Sequence, residues 1–202
     1  RAKEPVALGI ITGVKGSSPQ KLGAKALFYP DRKIAGTLGG GCLEAEAQRL
    51  ALQSLRDGQP QSFELVLDHD FGWDDGLICG GKVLGVIIPN AQRAGEQFWN
   101  DLAQRDTTKF WGVKNDFTLA RIALLNPEPS TLNYLYSETI TPPCALWIAG
   151  SGHIAQAVAP LALQLDFAVS IFDDRPELAN HDIFPREVSL HVGPWNDLLN
   201  AP

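Results

Sequence analysis

A chain of 202 residues, 45% of them hydrophobic and 20% charged, is long enough for one large or two modest domains and apolar enough to fold, which excludes an intrinsically disordered protein. Its formal charge of −6 argues against a nucleic-acid partner, because neutralising phosphates needs a basic surface. No apolar run reaches the roughly 18 to 20 residues of a membrane-spanning helix and the start lacks a signal-peptide pattern, so a cytoplasmic protein with no membrane partner is expected, its three cysteines Cys42, Cys79 and Cys144 kept as thiols.

The first run, Val6-Ala7-Leu8-Gly9-Ile10-Ile11-Thr12, is apolar and β-branched and predicts a buried strand. It breaks at Gly16-Ser17-Ser18-Pro19, and short strands are expected at 26–29 and 34–38, ahead of Gly39-Gly40-Gly41-Cys42. Leu43, Ala47, Leu50, Ala51 and Leu55 then recur at helical spacing, and Gly58 stands where a C-cap belongs. Strands are expected at 62–67 and 82–88, separated by a loop with Asp68, His69, Asp70, Trp73, Asp74, Asp75 and Cys79-Gly80-Gly81. A helix over 94–105, a strand over 117–125 and an extended piece over 132–136 complete an N-terminal mixed α/β domain, residues 1–140. Thr141-Pro142-Pro143 is the stiff connector that follows it.

Ala145-Leu146-Trp147-Ile148-Ala149 runs directly into Gly150-Ser151-Gly152-His153-Ile154-Ala155, a G-x-G-x-x-A turn. Gly150 permits the turn, Gly152 lets backbone approach a pyrophosphate, and the helix N-terminus beyond offers N–H groups to the anion. A helical stretch through Val158, Leu161, Ala162 and Leu165 leads to a strand at 168–172 that ends in Asp173-Asp174-Arg175. Asp173 stands near the spacing at which an acid meets a ribose 2′-hydroxyl. Residues 188–192 predict a third strand, so 141–202 reads as a Rossmann-like parallel-sheet domain, incomplete at its C-terminal end. The fold class is α/β.

Cys42 is expected at a helix N-terminus, where the dipole favours the thiolate and so a nucleophile or soft ligand; the three preceding glycines leave backbone able to close on an oxyanion. Cys79-Gly80-Gly81 repeats the theme before a strand. The plainer reading of both cysteines is a small buried hydrophobe beside a tight turn. Zinc is disfavoured, since there is no C-x-x-C pair and His69, His153, His181 and His191 are scattered. Gly16-Ser17-Ser18-Pro19 with Gly23-Ala24-Lys25 reads either as a phosphate-binding turn or as an ordinary one, and the aspartates of 68–75 read as a solvated acidic loop.

Taken together, G-S-S-P at 16–19, G-A-K at 23–25, G-G-G-C-L-E at 39–44, C-G-G at 79–81, G-S-G-H at 150–153 and D-D-R-P at 173–176 resemble the xanthine dehydrogenase accessory factor family, XdhC/CoxI-like, over nearly the whole chain. The resemblance implies a cofactor-binding chaperone rather than a turnover enzyme. Its role would be a maturation factor for molybdenum hydroxylases that binds molybdenum cofactor (the molybdopterin type), assists its sulfuration and delivers it to the apoenzyme. A cysteine desulfurase and a second copy of the chain are the further implied partners. Carried over by motif, the binding residues are Gly39, Gly40, Gly41 and Cys42, then Cys79, Gly80 and Gly81, with Gly150, Gly152, His153 and Asp173 in the Rossmann half; Cys42 and Cys79 would contact the molybdenum dithiolene. The competing reading is an NAD(P)-dependent oxidoreductase, motivated by the glycine turn and Asp173.

Overall fold

The computed structural model describes residues 4–18, 20–67, 81–93, 96–123 and 133–198. The chain divides into two compact units, Arg1–Ile140 and Thr141–Pro202.

The first unit is built on a five-stranded antiparallel sheet: β1 (Ala7–Lys15), β2 (Lys25–Phe28), β3 (Ile34–Gly36), β4 (Gln61–Leu67) and β5 (Gly81–Ile88), in the order β3-β2-β1-β5-β4. The apolar run of β1 lacks polar alternation because both faces of the sheet are covered. On one face Ala7 and Ile11, with Phe28, Val83 and Ile87, meet Leu43, Ala47 and Ala51 of α1 (Gly41–Asp57). On the other face Leu8, Ile10, Val86 and Ile88 meet Phe98 of α2 (Glu96–Gln104) together with Trp111, Val113 and Tyr136. Those last three belong to a second antiparallel sheet, β7-β6-β8, made of β6 (Lys109–Lys114), β7 (Leu119–Arg121) and β8 (Tyr134–Ile140).

Four strands depart from the sequence expectation. β1 runs on past Thr12 through a register shift and ends at Lys15, opposite Lys82 of β5, so its polar end is held by pairing rather than by burial. β6 was not foreseen at all, because its Lys109 is buried where a polar residue would be expected outside. Asp101 and Asp106 make that burial tolerable: both ion-pair with the Lys109 ammonium, and Asp101 also accepts a 2.9 Å hydrogen bond from Trp111 Nε1. β7 is shorter than the predicted strand, and β8 extends beyond the piece expected at 132–136.

The second unit contains a three-stranded parallel sheet, order β11-β10-β9, from β9 (Cys144–Ala149), β10 (Phe167–Asp173) and β11 (Ser189–Val192), with α3 (His153–Gln164) crossing between β9 and β10 and a short α4 (Trp195–Leu198) at its end. Ala155, Ala159 and Ala162 lie against Val169 and Ile171, and Phe184 and Val188 from the crossover into β11 join the same cluster. The small residues of α3 allow close approach of helix to sheet, as the glycine–alanine pattern predicts. The α/β class expected from sequence is the one observed, with antiparallel sheets in the first unit and a parallel Rossmann-like sheet in the second.

Candidate functional site

The glycine run ahead of α1 is a backbone device. Gly39, Gly40 and Gly41 take φ of 120°, 73° and 57°, three successive left-handed residues that side chains would strain. Among the described residues, no atom comes within 4 Å of where a Cβ on Gly40 or Gly41 would stand, so this conformation, not crowding, demands glycine there. Cys42 is the second residue of α1 and is half-buried. Gly40 caps the helix without a side-chain hydrogen bond, so the first-turn N–H groups receive no side-chain acceptor from the cap. The loop is pinned by Glu44, whose Oε2 accepts hydrogen bonds from Thr37 Oγ1 at 2.8 Å and Leu38 N at 2.9 Å; Thr37 Oγ1 in turn accepts from Gly39 N at 3.0 Å. Neither Thr37 nor Glu44 was singled out from sequence, since they stand seven residues apart and match no local capping pattern.

Strand directions bring further motifs to the same end of the five-stranded sheet. There β1 ends, β2 begins, β3 ends into the glycine run, β4 ends and β5 begins. Gly81 opens β5, and a Cβ on it would overlap the main-chain oxygen of Ser17, so the Gly16-Ser17 turn closes directly over it. Cys79 and Gly80, like Asp68, His69, Asp70, Trp73, Asp74 and Asp75, lie outside the described residues. Lys25 also starts its strand here, but its ammonium is engaged: Nζ is 2.5 Å from Glu138 Oε2 and donates to Gly23 O at 3.0 Å. Tyr136 OH donates to the same carboxylate oxygen at 3.3 Å, and burial, followed by the negative charge of Glu138, pushes the Tyr136 phenol up. Gly23, at φ 83°, leaves room for that hydroxyl, which would sit 2.5 Å from a Cβ. The G-A-K motif is therefore held from within by β8. Lys15, which sequence reading passed over, is an exposed cation of this end.

In the second unit Gly150 takes φ 93° and donates its N–H to Phe172 O at 2.7 Å, which ties the turn to the end of β10. Gly152 is the N-cap of α3 in an extended conformation, and among the described residues nothing lies within 4 Å of a Cβ placed on it. His153 is exposed at the first helical position. Asp173 is fully buried. Its Oδ2 accepts from Ser151 N and Ser151 Oγ, both at 2.6 Å, and from Arg175 Nη2 at 2.9 Å, while its Oδ1 accepts from Arg175 N and Nε at 2.9 Å. The Arg175 guanidinium, aided by the Ser151 hydrogen bonds, holds the Asp173 carboxyl far below the usual range against the opposing effect of burial. A ribose hydroxyl would have to compete with Ser151 and Arg175 for this carboxylate. Sequence reading named Asp173 but not these two partners, one of which is the variable residue of the G-x-G triplet.

Among the described residues, no group of three or more His, Cys, Asp or Glu is arranged to hold a metal ion. No helix among them is long and apolar enough to cross a membrane.

These features define a two-unit α/β protein with a glycine–cysteine helix entry in one unit and a Rossmann-type turn in the other. Residues 1–69 match the XdhC and CoxI family, and residues 146–196 match the XdhC Rossmann domain. The chain belongs to the XdhC/CoxI family. It is 27% identical over 173 residues to the molybdenum cofactor insertion chaperone PaoD of Escherichia coli (strain K12), covering 84% of this chain and 53% of that one. It is 22% identical over 215 residues to a probable xanthine dehydrogenase subunit of Bacillus subtilis (strain 168), covering 93% and 65%. This chain thus spans about half to two thirds of the length of these relatives. A crystal structure described as a xanthine dehydrogenase from Bacillus halodurans shares the fold with a TM-score of 0.79 at 20% identity, over 98% of this chain and 67% of that one.

Proposed function

We propose that this protein is a maturation factor for molybdenum enzymes of the xanthine dehydrogenase type, which binds molybdenum cofactor as cargo, assists its sulfuration and delivers it to the apoenzyme. The observation that carries this reading is the entry to α1, where three left-handed glycines open the space beside a helix N-terminus and the Cys42 thiol. Molybdopterin joins a soft dithiolene to a phosphate. Thiolate suits the first, and free N–H groups at a helix start, with Lys15 at the same sheet end, suit the second. The likeness to a chaperone named for molybdenum cofactor insertion supports the cargo.

In this reading Gly39, Gly40, Gly41 and Gly81 shape the site, Cys42 and Cys79 contact the dithiolene, and Gly80 belongs to the second turn. Gly150, Gly152 and His153 receive a nucleotide, held in shape by Asp173. A molybdenum hydroxylase apoenzyme and a cysteine desulfurase are the partners, the working form is a homodimer, and the compartment is the cytoplasm.

Anaerobic binding of molybdenum cofactor to the purified protein, wild type against Cys42→Ser, tests the proposal. Stoichiometric binding that the substitution weakens supports it, and a folded wild type that binds none overturns it. The Rossmann turn favours one second reading, an NAD(P)-dependent oxidoreductase, which a titration with nicotinamide dinucleotides would sink by showing no binding.

A further inference from the structure

Glu138 stands where the pattern of its strand calls for an apolar side chain. Side chains alternate along β8, and Glu138 shares its face with Tyr136 and Ile140, which pack in the core between the two sheets of the first unit. The Lys25 ammonium meets the carboxylate there at 2.5 Å, and the side chains of Lys25 and Glu138 are only 19% and 16% exposed. Stability does not require such a pair, since two apolar side chains of similar size would hold the same place as well or better. What an ion pair adds is direction.

That direction is toward the loop of residues 16–24. β2 begins at Lys25, opposite Ile10, whereas β1 runs on to Lys15, so the loop has to return along the overhanging end of β1. Near its start Ser17 lies over Gly81; inside it, among the described residues, the hydrogen bonds are local, joining Ser18 to Gln20 and Ala24 to Lys21. Gly23 is where the loop is gripped. Its N–H donates to Ile11 O at 2.8 Å and its carbonyl accepts from Lys25 Nζ at 3.0 Å, while the Tyr136 hydroxyl and Glu138 Oε2 stand 2.5 Å and 3.5 Å from the place of its missing Cβ. Lys25, Tyr136 and Glu138 converge on one residue of loop backbone.

We propose that Glu138 is a positioning residue for the cofactor site: through Lys25 and Tyr136 it fixes Gly23, and with it the loop whose Gly16-Ser17 turn covers Gly81 at the sheet end that carries the entry to α1. The inference rests on the cofactor-binding role proposed above. It removes Lys25 from the candidates for an anion ligand, because its ammonium is already shared between a carboxylate and a carbonyl. Losing Glu138 and losing Lys25 therefore have the same consequence, since either one undoes the same hold. Were Lys25 a phosphate ligand instead, losing Glu138 would free its charge and tighten binding.

The test is a double-variant cycle on the purified full chain, with Lys25→Met, Glu138→Gln and the two together, read by anaerobic molybdenum cofactor binding, thermal melting and amide hydrogen exchange of residues 16–24. Each substitution is expected to weaken binding by about tenfold, a coupling of the size that packed networks carry, and the double variant to bind no worse than either one. The double variant leaves no unpaired buried charge, so it should melt close to wild type while the amides of residues 16–24 exchange faster. Should a single substitution prevent folding, the double variant decides alone, and wild-type binding by it overturns the role. Glu138→Gln that binds as tightly as wild type or more tightly, a double variant whose loss is the product of the single ones, or unchanged exchange in the loop overturns the positioning role and leaves the cofactor reading standing. A folded wild type that binds no cofactor overturns that reading and this role together.

Discussion

The main-chain oxygen of Ser17 occupies the space that a side chain on Gly81 would need, so the turn after β1 and the start of β5 are locked together by the absence of a Cβ. The obstacle is backbone, which cannot swing aside as a flexible side chain can. Gly81→Ala must therefore displace the Gly16-Ser17 turn at the end of the sheet that also carries the entry to α1. The expected result is a folded protein that retains molybdenum cofactor less well than wild type, measured by anaerobic co-purification, with a loss of stability of about 1 to 3 kcal/mol. Unchanged retention would show that the turn does not belong to the site.

Glu44 holds the Thr37–Gly39 segment through two hydrogen bonds without touching the open space over Gly40 and Gly41. Glu44→Ala is predicted to cost about 1 to 2 kcal/mol in denaturant unfolding and to reduce cofactor retention because the glycine run loses its anchor. Glu44→Gln, which keeps one acceptor oxygen, should recover most of both losses. Equal retention in all three proteins would rule out a positioning role.

Asp173 yields a prediction with a direction in pH. Its folded carboxyl titrates well below an unfolded aspartate, at about 3.9, chiefly because of Arg175 and then the Ser151 hydrogen bonds. The stability it contributes is therefore fully present at neutral pH, begins to be lost as pH falls through about 4, and continues to fall below that. Asp173→Asn should lower stability at pH 7 by about 2 kcal/mol, since the single oxygen of an amide cannot accept from all five donor groups of Ser151 and Arg175. Thermal melts of the two proteins should converge as pH is lowered; a constant gap down to pH 3 would mean that this carboxylate is not the group lost.

In the core of the first unit, a Cβ on Gly85 would collide with the ring of Phe63 and stand 2.9 Å from Ile10 O. Gly85→Ala is predicted to destabilise by about 1 to 3 kcal/mol, and pairing it with Phe63→Leu to recover part of that loss by vacating the ring's place. Additive losses in the double variant would show that the backbone contact with Ile10 dominates.

Much of the fold was legible in local pattern. The five strands of the first sheet, α1, α2 and the strand–turn–helix–strand of the second unit were foreseen within a few residues, because an apolar run, a helical period and a G-x-G-x-x-A turn are each decided by neighbours in the chain. β6 was not legible, since its Lys109 is tolerated inside only by Asp101 and Asp106, and two of those three side chains look like ordinary surface charges until the strand is paired.

Within the candidate site the same division holds. The amino-acid sequence by itself determined where backbone must turn left-handed, at Gly39, Gly40, Gly41 and Gly150, because that requirement belongs to the residue and its immediate neighbours. Only the tertiary structure decided that Lys25 is spent on Glu138, that Asp173 faces Ser151 and Arg175, and that Ser17 closes over Gly81. A charge or a small residue acquires its role from the groups the fold sets against it, and no rule of spacing along the chain carries that information across 113 residues between Lys25 and Glu138.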